Sequence, residues 1–348
     1  MNKLKANGYF YKNVTIEVPG STANLGLYFD RAGAALTKPH LRVILEPIRG
    51  GEIELVENSS VVTPIGRRRG FAGKRALSHY LNQIGEVRGF RLTYEDVEKG
   101  GFPTGGTGLS GAESVGAILA AAVLLHKFLT ETEVVWASAK GEPGEHKDNV
   151  APSVMGGIVF LSDILGSHEQ IFNKVSPPKN LGLAIGFSTH SKIGGTEATR
   201  NVLSADIEKN IFINQVGRAT IGALSLQQGK ISDFIKVVSG DQFHELRRAD
   251  AGMYGNFSYK NFLALKKNLY ENFGIGLAVS GAGPNMQLWY DKNVYLNGIE
   301  KVARELIKSW FEEQGIGILI RDIGIAKEGA YAYAQKRYPN SALAKNNS

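Results

Sequence analysis

The stretch that most restricts how this chain can fold spans residues 101–125 and reads GFPTGGTGLSGAESVGAILAAAVLL. Gly105, Gly106 and Gly108 permit a tight turn that exposes several N–H groups, and the alanine-rich segment behind them is a strong helix former without proline. A glycine loop that opens a helix is an anion site, because the free N–H groups and the positive end of the helix dipole converge there. Phosphate is the usual occupant.

Two well-known nucleotide loops do not account for it. Gly106, Gly108 and Gly111 spell G-x-G-x-x-G, and Glu131 follows about 20 residues on, but the dinucleotide fingerprint needs an apolar strand running into its first glycine. Here residues 95–99 are mostly charged and Pro103 interrupts the approach. A P-loop needs Gly-Lys before its hydroxyl residue, and no lysine lies within this loop. The remaining alternative is a plain glycine turn ahead of a core helix. It weakens only if other parts of the chain also ask for phosphate.

With 348 residues the chain is long enough for two domains with separate cores. It has no cysteine, which excludes disulfides, thiolate metal sites and cysteine nucleophiles. The opening residues MNKLKANGYFYKN lack an apolar signal core, and the longest apolar run, 115–125, is too short to cross a bilayer. A cytoplasmic protein that does not enter a membrane is therefore expected. The net charge of +7 suits anionic ligands. Arg67, Arg68 and Arg69, with Lys74 and Arg75 behind them, read as a solvated basic face or as phosphate contacts. No aromatic interleaving accompanies them, so nucleic acid is not an expected partner.

Along the chain, periodicity predicts strands over 14–18, 41–45, 51–56, 89–94, 157–162, 181–187, 277–280, 286–290 and 315–320, the first ending at Pro19. Helices are expected over 70–84, in the segment behind the glycine loop, and over 133–139, 211–227, 231–238 and 297–311. Asn24 and Asp30 flank the apolar residues 25–29, as structural hydrogen-bonders or as ligand contacts. Glu142, Glu145, His146, Asp148 and Asn149 crowd one short segment, more polar groups than helix capping uses. The sequence SGDQFHELRRAD gathers Asp241, His244, Arg247 and Arg248, and GAGP at 281–284 is a second glycine turn. Residues 170–180, with Pro177 and Pro178, read as a linker between an N-terminal domain (1–175) and a C-terminal domain (176–335), and 336–348 as a frayed tail.

Three motifs, PGSTANLG, PTGGTGLSGAES and SGAGP, resemble in order and spacing those of the GHMP kinase superfamily. FDRAGAAL, HKDNVAPSVMGG, TEATRNVL and DQFHELR extend the resemblance to the homoserine kinase branch over roughly residues 14–330. The resemblance implies an α+β fold of two domains, ribosomal-protein-S5-like at the N-terminus and ferredoxin-like at the C-terminus. It also implies ATP bound by Pro103, Gly105, Gly106, Gly108, Ser110 and Gly111, with Gly281 and Gly283 of the second turn, and Mg²⁺ held by Ser110 and Glu142. A small hydroxy-acid substrate would contact Asn24, Asp30, His146, Lys147, Arg200 and Arg247, with Asp148, Asn149 and Thr196 near the reacting hydroxyl. Relatives commonly form homodimers.

The chain departs from the family pattern in two places. The loop reads GLSGAES where paired serines are usual, which leaves Ser110 and Ser114 both open as the serine at the metal and puts Glu113 beside the phosphates. Lys147 stands where a small or uncharged residue is usual. It points into solvent or, with the arginine cluster, supplies cation for an already phosphorylated acceptor such as mevalonate 3-phosphate. A non-catalytic metabolite sensor on the same fold is the alternative of a different class.

Overall fold

A computed structural model describes residues 11–56, 71–98, 106–167, 169–190, 195–203, 206–295 and 298–344. They divide into two units: one holds the residues up to Ser21, Gly33–Lys174 and those from Ala326 onward, and the other holds Thr22–Ala32 and Val175–Ile325. A single division at 175 does not describe this, because the chain enters the second unit twice.

In the first unit, β1 (Val14–Ala23), β2 (Ala32–Ile48), β3 (Ile53–Val56), β4 (Gly89–Asp96), β5 (Ile158–Asp163) and β6 (Gln170–Val175) make a six-stranded sheet. Its order is β3-β4-β2-β5-β6, with β1 paired to β2 off that path. The first strand continues through Pro19 instead of ending there. Among the described residues it pairs with one neighbour, which leaves an edge where a missing N–H breaks no ladder bond. The expected linker 170–180 begins with an edge strand, β6. Its residues are mostly half-buried or exposed, so apolar alternation is faint, and the prolines lie just after its end.

Against this sheet pack α1 (Phe71–Gln83), α2 (Leu109–Leu124) and α4 (Lys147–Met155), while α3 (Glu131–Ala139) packs on these three helices. Every residue of α2 except Ser110 is buried, as a helix apolar on all sides requires. Gly116 permits the close approach to β2: a Cβ there would lie 2.3 Å from Val43 Cγ2. A capping box at Thr130 and Glu133 starts α3. Polar residues in the first turn of α4, and Pro152 within it, hide this helix from a periodicity reading.

The second unit holds β7 (Leu181–Ser188), β8 (Gly276–Val279), β9 (Met286–Asp291) and β10 (Ile318–Asp322), an antiparallel sheet in the order β10-β7-β9-β8. Its helices are α5 (Gly195–Asn201), α6 (Lys209–Gln227), α7 (Ile231–Val238), α8 (His244–Asp250), α9 (Tyr259–Phe273), α10 (Lys292–Tyr295) and α11 (Ile299–Glu313). Alternation along β9 divides the layers. Met286, Leu288 and Tyr290 join the core formed with α9 and α11, while Trp289 meets Phe234 of α7 edge-to-face at 5.3 Å.

The chain then returns to the first unit as α12 (Ala330–Arg337). Much of the expected frayed tail is packed. Tyr338 Oη accepts from Thr15 N (2.7 Å) and donates to Thr15 O (3.0 Å), and Leu343 is fully buried. Residues 345–348 lie outside the described residues.

Candidate active site

The glycine loop keeps the geometry that its sequence demands. Gly106 and Gly108 have positive φ (66° and 59°), and Gly108 begins α2 with no side-chain cap among the described residues. Only glycine fits at 108, where a Cβ would lie 1.9 Å from Ser21 Oγ. Ser21 is buried beneath the loop: its N–H donates to Thr107 O (2.9 Å) and its hydroxyl to Asn149 O (2.7 Å). Pro103, Gly105 and the arginines at 67–69 lie outside the described residues.

Ser110 is the exposed residue of α2, and its hydroxyl donates to Glu142 Oε2 at 3.1 Å. Glu142 Oε1 is buried and has no hydrogen-bond partner among the described residues. Burial pushes the Glu142 carboxyl above its ordinary value, opposed by the Ser110 hydrogen bond and the charge of Arg75. The Arg75 Nε donates to Gly141 O at 3.2 Å, beside that glutamate. Two hard oxygen donors at an uncapped helix start fit a Mg²⁺ ion, which takes few carboxylates and completes its shell with phosphate and water. Ser114 turns away, its buried hydroxyl bonded to Ser110 O (3.2 Å). Glu113 does not stand beside the phosphate loop's mouth as expected. It is buried, and together with burial it raises the Tyr94 phenol far above its ordinary value.

The same unit positions the polar segment after α3. His146 precedes α4 in extended conformation, and the buried Asp148 accepts from Asn149 N through Oδ1 (3.1 Å). Asn149 lies against the loop, its carbonyl 3.5 Å from where a Cβ on Gly111 would be. Lys147 is half-buried and turns to an aromatic ring. Its ammonium sits over the Trp136 ring at 5.1 Å, and burial lowers its pKa against the opposing charges of Glu145 and Asp163.

In the second unit, Asp30 and Arg200 form an ion pair with Nη2 at 2.7 and 2.9 Å from the two carboxylate oxygens. Asn24 is a brace: Nδ2 donates to Gly281 O (2.6 Å) and Oδ1 accepts from Asp30 N (3.0 Å). Gly281 and Gly283 have positive φ (58° and 76°), and Gly283 abuts Tyr254, where a Cβ would lie 2.5 Å from Cε1. Arg247 does not join this group, since it lies over Phe243 at 5.1 Å and donates to Asp206 O (2.6 Å). Its neighbour Arg248 does. Fully buried, Arg248 donates to Thr199 O (2.9 Å) and Gly281 O (3.4 Å), and it shares the Phe29 ring with Arg200, at 5.2 and 5.5 Å. The available signal was helical spacing, since His244 and Arg248 are one turn apart on the buried face of α8. Thr196 falls in α5, with its side chain outside the described residues.

No family model matches the chain. Its sequence is 27% identical over 327 residues to homoserine kinase of Persephonella marina, covering 92% of this chain and 98% of that one. It is 29% identical to homoserine kinase of Caldicellulosiruptor saccharolyticus, covering 80% and 85%. The crystal structure of homoserine kinase from Cytophaga hutchinsonii has the same fold (TM-score 0.72, 21% identity, 92% and 96% covered). So does the mevalonate kinase of Methanococcus jannaschii (TM-score 0.60, 15% identity, 90% and 98% covered). The chain is thus similar in sequence to homoserine kinases and shares its fold with solved homoserine and mevalonate kinases.

Proposed function

We propose that this chain is a kinase that transfers the γ-phosphoryl group of Mg²⁺-ATP to the hydroxyl of homoserine. The observation that carries the reading is the Ser110–Glu142 pair at the uncapped, glycine-led start of α2. The near full-length match to homoserine kinases supports the choice of acceptor.

In the first unit, the N–H groups around Gly108, Ser110 and Gly111 hold the phosphate oxygens, and Ser110 and Glu142 would hold Mg²⁺. When bound, that ion neutralises charge on the transferring phosphoryl group. Asp148 and Asn149, steadied by Ser21, orient the acceptor hydroxyl. Its oxygen bonds to the γ-phosphorus as the bond to ADP breaks, and the hydroxyl proton leaves to solvent. The loose transition state of phosphoryl transfer asks for positioning more than for a strong base. In the second unit, Arg200 and Arg248 would supply the positive charge that an acceptor carboxylate needs, in place of the Arg200 and Arg247 pair that the resemblance implied. A phosphorylated acceptor loses one of its supports, because Lys147 is occupied with Trp136. Among the described residues no helix is long and apolar enough to cross a membrane. A cytoplasmic homodimer completes the reading.

The test is ADP release with Mg²⁺-ATP and homoserine, mevalonate, mevalonate 3-phosphate, pantoate or shikimate. Turnover on homoserine alone is expected. Turnover confined to mevalonate 3-phosphate would overturn the acceptor and keep the kinase, and failure with every acceptor despite ATP binding would favour the sensor.

A further inference from the structure

The turn from Leu25 to Asp30 is held from behind by one buried carboxylate that the reaction itself does not use. Asp241 Oδ1 accepts from Gln215 Nε2 at 2.7 Å, and the same amide nitrogen donates to Leu27 O at 3.0 Å. The same oxygen lies 3.1 Å from His244 Nδ1, and the His244 ring packs on Phe29 with centroids 4.9 Å apart. Oδ2 accepts from Glu245 N (2.8 Å) and Phe243 N (3.3 Å), which fixes the start of α8 and with it Arg248. Tyr259 Oη donates to the Asp241 carbonyl. Asp241 and His244 are both fully buried.

We propose that Asp241 is a positioning residue for the acceptor: through Gln215 it sets the backbone at Leu27, and through His244 it seats the ring that carries Arg200 and Arg248. Phe29 is the common support of both guanidinium groups, so a shift of its ring moves the carboxylate grip as a unit. The nucleotide groups at Gly108, Ser110 and Glu142 are not part of this network. The inference rests on the reading that Asp30, Arg200 and Arg248 bind the acceptor, and it predicts an effect on acceptor affinity without one on ATP.

The test uses the full chain with Gln215→Met, which keeps side-chain length and removes the bridging amide, and the pair His244→Phe and His244→Ala. Gln215→Met should raise KM for the acceptor about tenfold, the scale of one hydrogen bond to a charged group, with KM for ATP unchanged. His244→Phe, which retains a ring against Phe29, should preserve more acceptor affinity than His244→Ala. Equal shifts in both KM values, or none in either, would overturn the proposal. If the parent phosphorylates no acceptor, the kinase reading fails separately, and hydrogen exchange still decides the positioning. Gln215→Met should speed exchange over residues 22–32 and leave α2 unchanged, whereas unchanged exchange over 22–32 would sink it.

Discussion

The loop that opens α2 is built chiefly from backbone, whereas the cluster on Phe29 is built from side chains drawn from distant parts of the sequence. At Gly108 the chain conformation itself creates the site, with Ser110 and Glu142 added at its mouth. On Phe29, Asp30 meets Arg200 across 170 positions, and Arg248 reaches Thr199 across 49. A backbone site is sensitive to any side chain placed on it. A side-chain site is sensitive to which residue is present and how it is supported, and these separate sensitivities can be measured.

The largest effect is expected at the loop's mouth. Glu142→Ala should lower kcat by about 10²–10³-fold, the scale of losing one preorganised charge stabiliser, and should raise the Mg²⁺ concentration needed for half-maximal rate. A normal Mg²⁺ response in that variant would move the metal elsewhere. On the side-chain site, Arg248→Met should raise KM for homoserine about 10²-fold, consistent with losing a charge-assisted fork. Arg247→Met should change it little, and the reverse ranking would restore Arg247 to the grip. Gly108→Ala introduces both a positive-φ alanine and a clash with Ser21. It should cost about 1–3 kcal/mol locally, read as a lower Tm together with weaker ATP binding.

The smallest effect is one of stability. A carboxyl with a raised folded pKa holds its proton more tightly when folded, so its penalty is absent well below the ordinary 4.5 and grows as pH rises through the raised value. Glu142→Gln should therefore match the parent in acid and become the more stable protein near neutrality, in denaturant titrations without Mg²⁺. Equal stability at all pH values would mean that Glu142 is already paired.

The two regions also differed in how well the sequence announced them. Positive-φ glycines ahead of an apolar helix are a local signal, and α2 with its loop follows it. Strand β7 was visible because burial on both faces leaves a continuous apolar run. The edge strand β6 and the polar start of α4 were not, since neither carries a strong period. At the Phe29 cluster, Arg247 and Arg248 are adjacent in sequence. Only the register of α8 decides which is buried, and that register is set by tertiary packing. Asn24 was named with both its roles open, and the hydrogen bond to Gly281 O is the structural one.

That Asn24 bond also has a consequence for how the protein is made. It joins residues 257 positions apart, and the whole stretch Thr22–Ala32 belongs to a unit whose remaining residues begin only at Val175. On a ribosome adding about 5–20 residues per second, Asn24 is added roughly 13 to 50 s before Gly281. During that interval Leu25, Leu27 and Phe29 have no unit of their own to enter. The second unit therefore cannot finish from Val175–Ile325 alone, because its completion depends on the separate segment Thr22–Ala32.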